Sequence, residues 1–223
     1  MTDSSQSSGR GARRLPALVA VLTLSLVVAC SADQILDVED IDVAVPGSVD
    51  DPAALPSILA GAIGDFGNAW NGGGDFNQIT LAGQLSDELH NTETFPTRIE
   101  NDQRRQQYQS NGSLQNLFYA IQQARASADF AVKSYVRLEQ PTNVGVAEGL
   151  NVSALSYILM AENYCGAVPI SSVDENNVFS YGPALTTEQL LNIAVQKADS
   201  AFTNATAAGG AGAAAAAVPV VPV

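Results

Sequence analysis

The sequence predicts an all-α fold, and three observations predict it. Apolar residues recur at spacings of three and four over several long stretches, as one face of a helix requires. Prolines, glycines and capping residues fall between those stretches rather than inside them. Alanine and glycine sit where neighbouring stretches would touch, so helices can approach closely. The chain has 223 residues, of which 46% are hydrophobic and 15% charged. That suffices for one ordinary domain with a buried core. The expected architecture is antiparallel helix hairpins of the tetratricopeptide kind; periodicity alone leaves a plain irregular bundle open.

Residues 30–50 mix acidic and aliphatic side chains without a helical period and read as an extended tether. The helical domain is expected over 51–205. Asp51 is a good N-cap and Pro52 suits a first turn. Leu55, Ile58, Leu59, Ala62, Ile63 and Phe66 then share one face, and "NGGGD" at 71–75 stops the helix. From Phe76 the first half of the next stretch reads as a helix with Ile79, Ala82 and Leu85 inward. Its second half, through Pro96, reads as a loop. After Ser113, the residues Leu114, Leu117, Phe118, Ile121, Ala124, Ala128, Val132 and Tyr135 hold helical spacing until Pro141. A helix over roughly 143–165 places Leu150, Ala154, Tyr157, Ile158, Ala161 and Tyr164 on one side, with Gly166 as C-cap and Pro169 as a stop. A loop follows, "ISSVDENNVFSYGPAL". Thr186 or Thr187 caps a last helix whose core side is expected to carry Leu190, Ile193, Ala194, Lys197 or Ala198, and Phe202. Residues 206–223 are low-complexity. The alanine run there can extend a helix, but "VPVVPV" cannot, because each proline removes a backbone donor.

Ten Lys and Arg stand against 23 Asp and Glu, for a net charge of −13. Gripping a phosphate backbone needs clustered bases, so the composition disfavours nucleic-acid binding. Arg10, Arg13 and Arg14 precede the apolar run Leu15–Ala29. A basic segment, a short apolar run and a small residue make a secretory signal over residues 1–29. The run is shorter than a membrane-crossing helix needs; a retained N-terminal anchor is the alternative. The signal ends "VVAC", Val27 to Cys30, which resembles the lipobox of bacterial lipoproteins. That resemblance implies cleavage before Cys30 and a diacylglycerol on its sulfur, so that acyl chains hold the protein to the membrane. A disulfide between Cys30 and Cys165 is the rival reading. With Cys30 lipidated, Cys165 reads as a small buried hydrophobe among Leu159, Met160 and Val168.

The catalytic inventory is sparse. The one histidine, His90, lies in "SDELHNTE" beside Asp87, Glu88 and Glu93. Those four could gather round a metal, but no second histidine is present and their spacing does not put them on one helical face, so a solvated helix end is expected. No nucleophile elbow, phosphate loop with its lysine, or Cys/His cluster occurs. No cofactor, no metal and no enzymatic activity are expected. Trp70, Phe76, Phe95 and Tyr108 lie in or beside polar stretches, where an aromatic face can stack on a sugar ring; packing is the commoner role of each. Asp102 to Arg105, "DQRR", reads as surface charge with local pairing.

At "AEGLNVSALSYILMAENYCGAVPIS" the sequence resembles SusD/RagB family lipoproteins, in which an alanine- and aromatic-rich helix ends in a Y-G-x-V-P type turn. The matching positions are Ala147, Glu148, Ala154, Tyr157, Tyr164, Gly166, Val168 and Pro169. "YGPALTTEQLLNIAVQKADSAF" resembles the proline loop and capped helix that follow in the family, and the lipobox fits as well. "LSDELHNTETFPTRIENDQRR" is similar to the family's N-terminal region. Cys165 stands where the family often has a larger or aliphatic residue. Family members are usually longer, and the C-terminal part that supplies much of their ligand surface is missing here. The resemblance implies an outer-membrane, surface-facing lipoprotein that caps a TonB-dependent, SusC-like transporter and captures glycans or other nutrients without turning them over. It implies no particular ligand-binding residue. The competing expectations are a helical-repeat envelope lipoprotein that scaffolds other proteins, and a truncated, non-functional fragment.

Overall fold

The computed structural model describes residues 47–72, 76–105, 110–138, 142–174 and 178–209. The signal region, Cys30, most of the tether, Tyr108, Pro141 and the tail from residue 210 lie outside the described residues. Two short 3-10 turns, Ser48–Asp50 and Pro52–Ala54, lead into the first helix. Six α-helices follow among the described residues: α1 (Leu55–Asn71), α2 (Gln78–Leu85), α3 (Pro96–Asp102), α4 (Gly112–Leu138), α5 (Val144–Asn163) and α6 (Thr187–Gly209). Four two-residue strands, β1 (Val168–Pro169), β2 (Ser172–Val173), β3 (Phe179–Ser180) and β4 (Ala184–Leu185), lie between α5 and α6. The all-α expectation holds, with these short ladders inside the connecting segment.

Contacts across the long helices fix their directions. Asp65 of α1 accepts from Gln123 and Ser127 of α4, while Asp50, just before α1, pairs with Arg137 at the far end of α4 at 2.7 Å. Tyr164, after the end of α5, reaches back to Leu114 near the start of α4, whereas Ser153 meets Asp129. Ala147 clusters with Ala201 and Ala205 of α6, and Lys197 lies over the Tyr157 ring. Each helix thus runs antiparallel to its neighbour in the order α1, α4, α5, α6. The core between them is built from Leu59, Phe66, Leu117, Ile121, Val152, Met160 and Leu190, with buried alanines such as Ala62, Ala124 and Ala128 among them.

Caps mark the boundaries. Asp51 accepts from the Ala53 amide, but the turn it starts is 3-10 and α1 begins at Leu55. Asn77 caps α2 through the Thr80 amide, and Asn143 caps α5 through the Gly145 amide. Thr186 and Gln189 form a reciprocal capping box at α6: the Gln189 amide donates to the Thr186 hydroxyl and the Thr186 amide to the Gln189 side chain.

Four expectations need correction. In α2 the expected inward face is reversed: Ile79 and Leu85 are exposed, while Gln78, Leu81, Gly83 and Gln84 are buried. The two glutamines stay inside because amides meet them; Asn101 donates to Gln84 and Asn163 to Gln78. The loop expected through Pro96 forms over 86–95, but Pro96 itself starts a further helix, α3, because proline presets the first helical turn. In α6, Phe202 and Ala198 face solvent; the buried row is Leu190, Ala194, Ala201 and Ala205. Cys165 is an exposed free thiol rather than a buried hydrophobe. Helix α5 ends at Asn163, and the Tyr164 ring takes the inward place.

Candidate functional site

The segment between α5 and α6 is the most elaborated part of the described surface. Tyr164 anchors its start. The ring stands edge-on to Phe118 at 5.1 Å, and its hydroxyl donates to the Leu114 carbonyl at 3.0 Å. Burial pushes that hydroxyl's pKa well above the usual tyrosine value. Gly166 and Ala167 both adopt positive φ, at 78° and 60°, and turn the chain back along α4. For Ala167 this is a strained conformation that its surroundings must hold.

Three side chains on one face of α4 then bind successive alternate carbonyls of that segment. Gln122 donates to the Pro169 carbonyl at 3.1 Å, Arg125 to Ser171 at 2.9 Å and Lys133 to Val173 at 3.0 Å. The period of two is what an extended chain offers along one edge. The other edge is paired: Val168 with Leu185 and Pro169 with Ala184, then Ser172 with Ser180 and Val173 with Phe179, all antiparallel. At Gly182 an added Cβ would lie 2.1 Å from the Ile170 carbonyl oxygen, so only glycine permits that approach. The segment is thereby held against the helices. It displays two aromatic rings side by side, Phe179 at 60% exposure and Tyr181 at 85%, with centroids 5.8 Å apart and planes tilted by 45°.

An ionic cluster under the segment holds Arg125 in place. Asp129 takes Arg125 at 3.1 Å, Lys197 of α6 at 2.8 Å and the Ser153 hydroxyl of α5 at 2.8 Å. Arg125 also donates to Gln122 at 3.0 Å. Tyr157 lines the cluster; burial first, and the Asp129 charge second, raise its hydroxyl pKa. One carboxylate thus serves two cations and three helices. Its chemistry is positional: it fixes the side chain that fixes Ser171.

A separate cleft of about 350 Å³ opens at the start of α5. Pro56, Leu59 and Ile63 of α1 form its apolar wall, facing Tyr135, Asn143 and Glu148. Gly145 makes room for the Tyr135 ring, since a Cβ there would lie 2.3 Å from it. Burial raises the Glu148 carboxyl above its ordinary value.

The aromatic residues suggested by sequence separate. Trp70 stacks on Phe66 at 6.2 Å and packs against the core, as does Phe76. Phe95 is exposed but carries the Arg98 guanidinium over its ring at 4.2 Å. Tyr108 lies outside the described residues. The charges around His90 disperse: Asp87 pairs with Arg104, Glu93 with Arg98, and His90, itself 82% exposed, approaches Asp102 at 3.4 Å. Among the described residues no three His, Cys, Asp or Glu side chains come together as a metal would need. Asp102 also accepts from the Asn91 amide, and no pairing within "DQRR" forms. Sequence reasoning missed Phe179 and Tyr181. Their signal was two aromatics at a spacing of two inside a polar loop, which puts both rings on one side of an extended chain.

No protein-family model, no curated protein and no solved structure matches the chain.

Proposed function

We propose that the protein is a lipid-anchored binding protein of the SusD/RagB kind. It captures a glycan or related nutrient at the outer membrane and hands it to a TonB-dependent transporter, without catalysis. The N-terminal "RR…VVAC" pattern supports the anchor at Cys30, and the Y-C-G-A-V-P turn supports the family reading. The antiparallel order α1, α4, α5, α6 suits tetratricopeptide-like hairpins. The observation that carries the binding role is the pinned segment after α5, with Phe179 and Tyr181 displayed on it.

A sugar ring offers apolar C–H faces that stack on aromatic rings. A platform held by bonds to alternate carbonyls has little ordering left to do when ligand arrives, which favours affinity. Tethering through Cys30 would keep bound ligand near the transporter mouth and raise its effective concentration there. Ligand release would depend on the transporter, since binding supplies no energy for uptake.

Native affinity electrophoresis of the lipidated full-length protein tests the binding role directly. Gels would contain dextran, laminarin, xylan or soluble starch, run beside gels without polysaccharide. The expected result is retardation by at least one polysaccharide, abolished in a Phe179→Ala, Tyr181→Ala double variant. Equal migration in every gel removes the glycan reading.

A further inference from the structure

Helix α6 carries two apolar rows, and among the described residues only one is buried by the fold. Leu190, Ala194, Ala201 and Ala205 face α5 and are buried. Leu191, Val195, Ala198 and Phe202 form a second row about a quarter-turn away, and all four are exposed. The large ones are 42%, 59% and 66% exposed for Leu191, Val195 and Phe202. Their spacing of four, three and four is that of a helix–helix seam. Exposed apolar side chains that adjoin in one row, rather than standing singly, are the form a contact surface takes.

The charges on α6 decide what fits. The helix has three charged residues: Glu188, Lys197 and Asp199. Lys197 is turned inward and held by Asp129. Glu188 and Asp199, both exposed, lie on the solvent side of the row, at the helical angles just beyond it, so the charges that α6 itself sets beside the seam are both carboxylates. A second copy would bring like flanks together on chains whose net charge is already −13.

We propose that this face of α6 docks an amphipathic helix of another protein, about three turns long, with an apolar seam flanked by Lys or Arg. The inference is independent of ligand capture: it needs neither Phe179 nor Tyr181.

The test uses the purified full-length chain and two fluorescein-labelled synthetic helices of 21 residues. One has leucine at the seam positions with lysine elsewhere; the other has leucine with glutamate. Fluorescence anisotropy at physiological salt is expected to show saturable binding of the lysine helix alone. A Val195→Ser, Phe202→Ser variant should weaken it at least tenfold. Glu188→Gln with Asp199→Asn should weaken it roughly threefold and flatten its salt dependence, while keeping the apolar row intact. Tyr119→Ser, an exposed aromatic on α4, should change nothing. Circular dichroism of each variant checks that helix content is kept. Equal binding of both peptides, or binding unaffected by the serine variant, overturns the proposal. So does sedimentation showing a dimer that the serine variant dissolves, since the occupant would then be a second copy.

Discussion

Helices α5 and α6 are neighbours of similar length and opposite character. Helix α5 is long and apolar enough to cross a membrane by composition, yet 67% of its most apolar window is buried inside the fold. It is wrapped by α4 on one side and α6 on another, and its buried serines are satisfied internally: Ser153 by Asp129, Ser156 by the Val152 carbonyl. Helix α6 has a lower apolar content but leaves Val195 and Phe202 in solvent. Hydropathy therefore does not locate the exposed apolar surface of this protein. A helix apolar all round is hidden by its neighbours, and a helix with two narrow rows can hide only one.

Truncating a large side chain on each helix sharpens that contrast. Met160 on α5 is fully buried, and Met160→Ala should cost about 3 kcal/mol by removing packing and leaving a cavity. Phe202→Ala on α6 removes a larger group but should change stability by less than about 0.5 kcal/mol, because it is already in water. Urea unfolding of the two variants checks both values. Comparable losses would mean that α6 is covered and the contrast is false.

The next largest effect lies where the two helices meet α4. Asp129→Ala leaves Arg125 and Lys197 without their shared carboxylate. A fully buried pair would lose more, but Asp129 is a quarter exposed, so the expected loss is about 2 kcal/mol. Since Arg125 also holds Ser171, limited proteolysis of the variant should cut first between residues 168 and 185. Unchanged protease resistance there would uncouple the cluster from the segment. Tyr164→Phe keeps the ring against Phe118 but removes the bond to Leu114, for about 1 kcal/mol.

The smallest effect is pH-dependent. The Glu148 carboxyl is raised above its ordinary value of 4.5 by desolvation. Below that value both folded and unfolded chains hold the proton, so the site costs nothing. As pH rises, the unfolded chain releases its proton first, and stability falls until the folded carboxyl has ionised too. Glu148→Gln should match wild type in melting temperature at pH 4 and exceed it slightly at pH 7. The reverse order would mean that Glu148 is stabilised by an unrecognised partner rather than penalised by burial.

The long helices were legible because their buried faces are apolar at the helical period; Leu117, Ile121, Ala124 and Ala128 of α4 need nothing else. Periodicity failed where polar groups do the packing. Gln78 and Gln84 sit inside α2 because Asn163 and Asn101 meet them, and no pattern of apolar residues reports an amide partner some 17 or 85 positions away. Phe202 reads as inward from sequence because α6 satisfies the helical period twice, one row beside the other, and sequence does not choose between adjacent rows. The candidate site was the least legible part. Gln122, Arg125 and Lys133 look like the solvated side of a helix until the segment that they bind has folded over them.

Co-purification from native membranes tests the proposal that the protein serves capture for a transporter. The native protein, tagged at its C-terminus, would be solubilised in mild detergent and its partners identified by mass spectrometry beside a Cys30→Ala variant. The expected result is one large β-barrel transporter of the TonB-dependent class with wild type, and its loss when Cys30 is replaced. Periplasmic assembly factors in its place, or no partner at all, would rule out transporter-linked capture.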